Sequence, residues 1–288
     1  MTTKKLLLGF FLLISSLHFV QAQTNTWTGA VNNNWGTAGN WSLAEVPSAT
    51  HDAVIPTGFT VNLNVSATIN SLQVQGTSTF NWSQQLSIAS ASNFGPNTTI
   101  QWSLNNLTGG GTLTNQGVIN LPTTSTKSII GLTTLNNEGV INVQDAGNLN
   151  ITDGILNNQA TGVIDIQADG SDISYTGSAS RILNNFGTIR KTGTLGIAYI
   201  EAELVNTGTI NVDSGDLRFR SLNKILDGGT YNVGVGCCTF LVWSGNIGKH
   251  INRNARRPHC LGKCNYRCII YNSDLKFFWT RRGFVDSV

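Results

Sequence analysis

Charge is what this chain lacks most: of 288 residues, only 11% are Asp, Glu, Lys or Arg. Scarce charge argues against exposed helices laced with ion pairs and suits stacked β structure, where like charges would line up from rung to rung and repel. Histidine is nearly missing as well. His51 alone lies within residues 23–248, so no catalytic or metal-binding histidine cluster can be assembled there. The five cysteines all fall between Cys237 and Cys268, which excludes a disulfide scaffold for everything before them. No segment repeats apolar residues at i, i+3, i+4 and i+7, so helical repeats and helix bundles are excluded. Beyond the first twenty residues no apolar run approaches eighteen, which excludes a membrane-spanning helix in the remainder. The run Gly109-Gly-Gly111 precedes a strand-like segment and no Lys follows it, so it is a turn rather than a phosphate cradle.

What the chain does contain is a repeat. It appears as Leu113-Thr-Asn-Gln-Gly-Val-Ile-Asn120 and Leu135-Asn-Asn-Glu-Gly-Val-Ile-Asn-Val143. It returns as Leu156-Asn-Asn-Gln-Ala-Thr-Gly-Val-Ile-Asp-Ile166, Leu183-Asn-Asn-Phe-Gly-Thr-Ile189, Leu204-Val-Asn-Thr-Gly-Thr-Ile-Asn-Val212 and Leu226-Asp-Gly-Gly-Thr-Tyr-Asn-Val233. The leading leucines are 22, 21, 27, 21 and 22 residues apart. A period in this range marks a solenoid, in which each unit buries its apolar face only by stacking on its neighbours. Within a unit, short runs such as Val140–Val143 and Leu149–Ile151 alternate apolar and polar residues with the period of a strand. The unit is too poor in leucine for a leucine-rich repeat and half the length of a propeller blade.

The fold expected is therefore all-β, a right-handed parallel β-helix of about 22-residue coils over roughly residues 60–248. Inward positions should include Leu135, Val140, Ile141 or Val143, Leu156, Ile164, Leu183, Ile189, Leu204, Ile210 and Leu226. The Asn-Asn pairs are expected at corners, where asparagine tolerates left-handed backbone and stacked amides can bond from coil to coil. The glycines that follow (Gly117, Gly139, Gly162, Gly187, Gly208) are expected to supply positive φ there. The long interval from Leu156 to Leu183 is expected to bulge around Ala168–Ser174.

Four segments follow from this reading. Residues 1–22 combine two lysines, an apolar stretch Leu6–Val20 and Val20-Gln-Ala22, as a secretory signal peptide does, and place the mature chain outside the cell or on its outer surface. Residues 23–105 form a Trp/Pro-rich module with the first coils, and Trp27, Trp35 and Trp41 should plug the open end of the helix. Residues 106–248 are the repeats. Residues 249–288 break with them. Residues 23–248 carry seven Lys or Arg against thirteen Asp or Glu, whereas the last forty carry nine against two. The overall charge of +3 is thus a property of the tail and gives no reason to expect nucleic acid as a partner of the main domain. Cys260, Cys264 and Cys268 beside His259 raise metal ligands or disulfides, but a four-residue spacing does not suit a zinc knuckle and five cysteines leave one thiol unpaired. The codons of this tail, shifted by one base, permit Gly-Asn-Ile-Leu-Thr-Gly-Thr-Leu-Asp-Gly-Pro-Ile-Val-Trp, the composition of the repeat resuming. The expectation is a frameshifted tail without a native fold.

The string Trp27-Thr-Gly29, Trp35, Gly39-Asn-Trp41, Val46-Pro47, Asp52-Ala-Val-Ile-Pro56 and Gly58 resembles the start of large, secreted, adhesin-like repeat proteins of Bacteroidota with pectin-lyase-like β-helices. The resemblance spans about residues 24–248. It implies export, display at the cell surface and contact with surface glycans or matrix polysaccharide; the C-terminal sorting domain many of these proteins carry is not recognisable in this sequence. Pectin-lyase-like folds also include polysaccharide lyases and hydrolases, whose sites need two or three convergent carboxylates, often with Arg or Ca²⁺. The carboxylates to weigh are Asp145, Asp153, Asp165, Asp169 and Asp172. They do not recur at equivalent repeat positions, since Asp165 takes the place that Asn142 and Asn211 hold in other units. His51 beside Asp52 fits a turn better than a catalytic pair. The expected function is a non-catalytic structural or adhesive module without metal or cofactor; the alternatives are a polysaccharide-processing enzyme and an inert spacer.

Overall fold

A computed structural model describes residues 21–177, 181–220 and 229–233, with short strands at 241–242, 269–272, 275–276, 278–279 and 285–286. The expected leader lies almost wholly outside the described residues, as do Leu226, His259, Cys260, Cys264 and Cys268. Within the last forty residues the structure describes Ile269–Asn272, Leu275–Lys276, Phe278–Trp279 and Val285–Asp286, all strands.

The chain winds as a parallel β-helix with three sheets, two of nine strands and one of eleven. One coil shows the plan. Thr134–Asn137 lies on the first sheet, Val140–Val143 on the second and Leu149–Thr152 on the third. Each pairs in parallel with its counterpart one coil later, so that Leu135 meets Leu156, Ile141 meets Ile164 and Ile151 meets Tyr175. Eight full coils run from His51–Ile55 to Asp216–Phe219. The stack thus starts earlier than the repeat suggests, at His51 rather than near residue 60.

Alternation decides which side chains enter the core. Leu135, Ile141, Val143, Leu156, Ile164, Leu183, Ile189, Leu204 and Ile210 are all buried in one continuous core. Val140 is a correction: it is only half-buried, because Ile141 and Val143 take the inward positions of that strand and period two puts Val140 outside. The bulge is a second correction. Asp172–Tyr175 is a strand of the third sheet, and Ile173 is buried against Leu149. The extra residues enter at two other corners. Residues 159–162 join strands that Glu138 and Gly139 join one coil earlier, and the rest fall between the strands ending at Tyr175 and starting at Arg181, whose counterparts one coil earlier are separated by Asp153 alone. Lengthening corners leaves the buried column intact, whereas a bulge at Ile173 would remove an apolar side chain from it.

The Asn-Asn pair meets one half of its expectation, since its amides do bond from coil to coil, but its place at a left-handed corner is a third correction. Neither member has positive φ, and Gly117, Gly139, Gly162, Gly187 and Gly208 lie outside the left-handed region as well. Instead the second asparagine points inward and is fully buried. Asn115 donates to Asn137, Asn137 to Asn158, Asn158 to Asn185 and Asn185 to Asn206 at 2.6–2.8 Å. Asn206 then donates to the Tyr231 hydroxyl at 2.8 Å. The Nδ2 groups of Asn115, Asn137, Asn158 and Asn185 also face carbonyl oxygen at the next corner, as Asn137 faces Gly139 and Val163. Glycine is required there for close approach: a Cβ on Gly139 would lie 2.1 Å from the Gly117 carbonyl oxygen.

The N-terminal module caps the helix. Gln23–Thr26 extends the first sheet beside His51–Ile55, and Asn33 and Trp35 bond to Asn62 on the edge of the second. Trp27 and Trp41 pack edge to face at 5.0 Å, Trp35 and Trp41 at 4.6 Å, and Trp35 rests on Phe80 at 6.0 Å. Buried Asn40 ties the loop, accepting from the Val31 and Asn32 amides and donating to Asn32 and to the Asn34 carbonyl.

Candidate functional site

The five weighed aspartates fall on the middle and later coils. Asp165 stands on the outer face of the second sheet, in register with Asn142 and Arg190. It is nevertheless buried, because its oxygens are filled from three sides: Arg190 Nη2 at 2.8 Å, Thr192 Oγ1 at 2.7 Å and Gln167 Nε2 at 3.1 Å. Asp169 occupies the following corner. It accepts from Thr194 Oγ1 and lies 3.3 Å from Lys191 Nζ. These contacts, with a bond from the Gly196 backbone, outweigh partial desolvation and hold its carboxyl below the usual range.

Asp169 answers the charge of Lys191. The lysine sits in an inward column aligned with Ile166 and Val212, where other coils carry aliphatic or aromatic side chains. An ammonium there must be satisfied. Its stem fills the core, and Nζ reaches the corner to meet the Thr192 and Thr194 carbonyls, Thr194 Oγ1 and Asp169. Lys127 repeats the device on the third sheet, aligned with Leu149 and bonded through Nζ to the Thr123 carbonyl and hydroxyl. Burial pushes its pKa down to about 8, with the charge of Asp145 opposing. Neither inward lysine is signalled by the repeat, although both stand where alternation calls for an apolar residue.

Asp172 lies on another face, the outside of the third sheet, paired with Tyr199. Burial pushes its carboxyl up to about 6, the negative charge of Glu201 adds to this, and Arg220 opposes it. Arg220 bonds Glu201 at 3.0 Å and covers the Tyr199 ring at 3.5 Å; Arg218 bonds Asp216 at 3.1 Å. Sequence reasoning selected Asp172 but missed Glu201 and Arg220, which come near it only through the register of the third sheet. Asp153 forms the tight corner after Thr152 with φ 55°. Asp145 binds the next backbone amide, that of Ala146. His51 serves its own turn: Nδ1 accepts from the Ser48 amide at 2.9 Å and Nε2 faces Glu45 at 3.2 Å. Asp52 accepts from Asn70 and Ser71, each at 2.6 Å.

Among the described residues no three His, Cys, Asp or Glu side chains converge as metal ligands, and no helix is long and apolar enough to cross a membrane. No family model, curated protein or solved structure matches this chain.

Proposed function

We propose that the protein is an exported, non-catalytic structural or adhesive module displayed at the cell surface, a rod whose length comes from stacked coils. The observation that carries this reading is the state of the carboxylates. Asp165 has both oxygens committed to Arg190 and Thr192, and Asp169 Oδ1 meets Lys191 and Thr194, all side chains of the adjoining coil. A general acid or nucleophile needs an oxygen open to substrate, and here the same oxygens neutralise and tie coils. Asp172 lies on a different sheet from Asp165, so the two do not flank one cleft.

One observation favours the competing reading of a polysaccharide-processing enzyme: Asp172, with a raised pKa, lies near Glu201 and Arg220. The test is incubation of the purified chain with acidic and neutral polysaccharides, with and without Ca²⁺, assayed for new reducing ends and unsaturated products. No turnover is expected. Turnover that disappears in Asp172→Asn or Asp165→Ala would replace the structural reading with the enzymatic one.

A further inference from the structure

The outer face of the second sheet has a regularity that the core does not require. In every coil the two outward positions hold a β-branched residue and then, two residues on, a polar one. The first five pairs are Thr60 and Asn62, Thr79 and Asn81, Thr99 and Gln101, Val118 and Asn120, Val140 and Asn142. Parallel pairing holds both columns in register, coil upon coil at a spacing of about 4.8 Å. Asn81 donates to Asn62 at 2.7 Å and Asn142 to Asn120 at 2.9 Å, which fixes those amides. A primary amide has two N–H donors and two lone pairs; a ladder bond uses one donor of one rung and one lone pair of the next. Hydrogen-bonding capacity remains on the two oriented pairs, Asn62–Asn81 and Asn120–Asn142, although Asn142 Oδ1 also accepts from Gln167 Nε2 at 3.3 Å; Gln101 stands between the pairs, and Thr and Val side chains stiff at χ1 flank the column.

Charge selects the occupant. These five strands contain no Asp, Glu, Lys or Arg, and among the described residues charge reaches this face only at Asp165 and Arg190, which cancel each other. Residues 23–248 together carry a net charge of 7 − 13 = −6. A polyanion is repelled by that balance and finds no cation on the face. A neutral, extended polymer with a donor and an acceptor on every unit meets no such cost. We infer that the outer face of the second sheet, from Thr60 to Asn142, binds neutral polysaccharide through its column of amides. Each contact is weak, and the number of coils engaged supplies the affinity. This rests on the adhesive form of the proposed function.

The test is affinity electrophoresis of the full chain in gels containing hydroxyethylcellulose or galactomannan, with polygalacturonate as the anionic comparison. Retardation is expected in the two neutral gels, nearly independent of salt, and not in polygalacturonate. The variant Asn81→Ala/Gln101→Ala/Asn142→Ala should bind about tenfold more weakly. Asn136→Ala/Asn157→Ala/Asn184→Ala removes outward amides of the first sheet and should bind like wild type. Should the first triple variant fail to fold, Gln101→Glu, a single solvent-side change, must still weaken retardation. No retardation in either neutral gel, stronger retardation in polygalacturonate, or equal loss in the two triple variants overturns the inference. Binding accompanied by cleavage would overturn the proposed function while leaving this site standing; neither binding nor cleavage would do the reverse.

Discussion

The early and late coils share one backbone plan yet hold together by different chemistry. Residues 51–152 contain four charged side chains, Asp52, Lys127, Glu138 and Asp145, whereas residues 153–220 contain thirteen. The early core is aromatic: Trp82 and Trp102 stack at 4.1 Å and 3°, and Phe94 packs against Phe80 and Trp82. The late core is aliphatic and amide. Both kinds fill one column of the first sheet, where Val74 and Phe94 are followed in register by Asn115 and its successors. Asn115 is the seam. Its Oδ1 is buried without a partner because Phe94, one coil earlier, cannot donate. A parallel coil therefore requires a filled column more than it requires any particular filling.

Breaking the amide half at its tightest point should have the largest effect. Gly139→Ala drives a methyl into the Gly117 carbonyl and should cost about 3 kcal/mol or more, read as a loss of folded yield or a large drop in the denaturant midpoint. Next come the contents of the shared column. Asn158→Leu removes the bonds Asn158 makes to Asn137, Asn185 and the Thr188 carbonyl and should cost about 3 kcal/mol in chemical denaturation. Ile55→Val, at the same column in the aromatic half, should cost about 0.5–1.5 kcal/mol. Equal costs would mean that the two halves are not held differently.

A third comparison uses the inward column of the second sheet, where Trp82, Trp102, Leu121 and Val143 follow one another. Trp102→Ala should cost about 3–5 kcal/mol and Val143→Ala about 2 kcal/mol, measured the same way. The smallest effect belongs to Asp172. Its folded pKa is raised from 3.8 to about 6, so its contribution is fully present below 3.8 and is lost as pH rises through 6. Asp172→Asn keeps the neutral form at every pH. The variant should melt higher than wild type at pH 8, and the gap should close towards pH 4.

These contrasts also explain what the sequence could disclose. The Leu-Asn-Asn period is legible from Leu113 onward because the buried ladder begins at Asn115, and a ladder demands the same residue on every rung. Before it, Ile55, Val74 and Phe94 fill the position by volume alone; many side chains can do that, so the first coils hide their period. The Leu and Ile columns were readable because strands alternate strictly. The site of the extra residues after Leu156 was not, since corners of different length serve equally well and only burial of Ile173 distinguishes them. Among the site residues, Asp165 was visible as a departure from Asn. Its pairing with Arg190 and the inward placement of Lys191 depend on register between coils 25 residues apart, which a period measured on leucines does not carry.

The central claim is that the charges of the late coils join coil to coil and do not act on a substrate. Asp165→Ala, studied beside wild type by chemical denaturation and by polysaccharide turnover, tests it most directly. The expected result is a loss of about 2 kcal/mol, since Arg190, Thr192 and Gln167 lose a buried acceptor while Arg190 is partly relieved by solvent, with no turnover in either protein. Unchanged stability together with a wild-type activity that vanishes in the variant would contradict it.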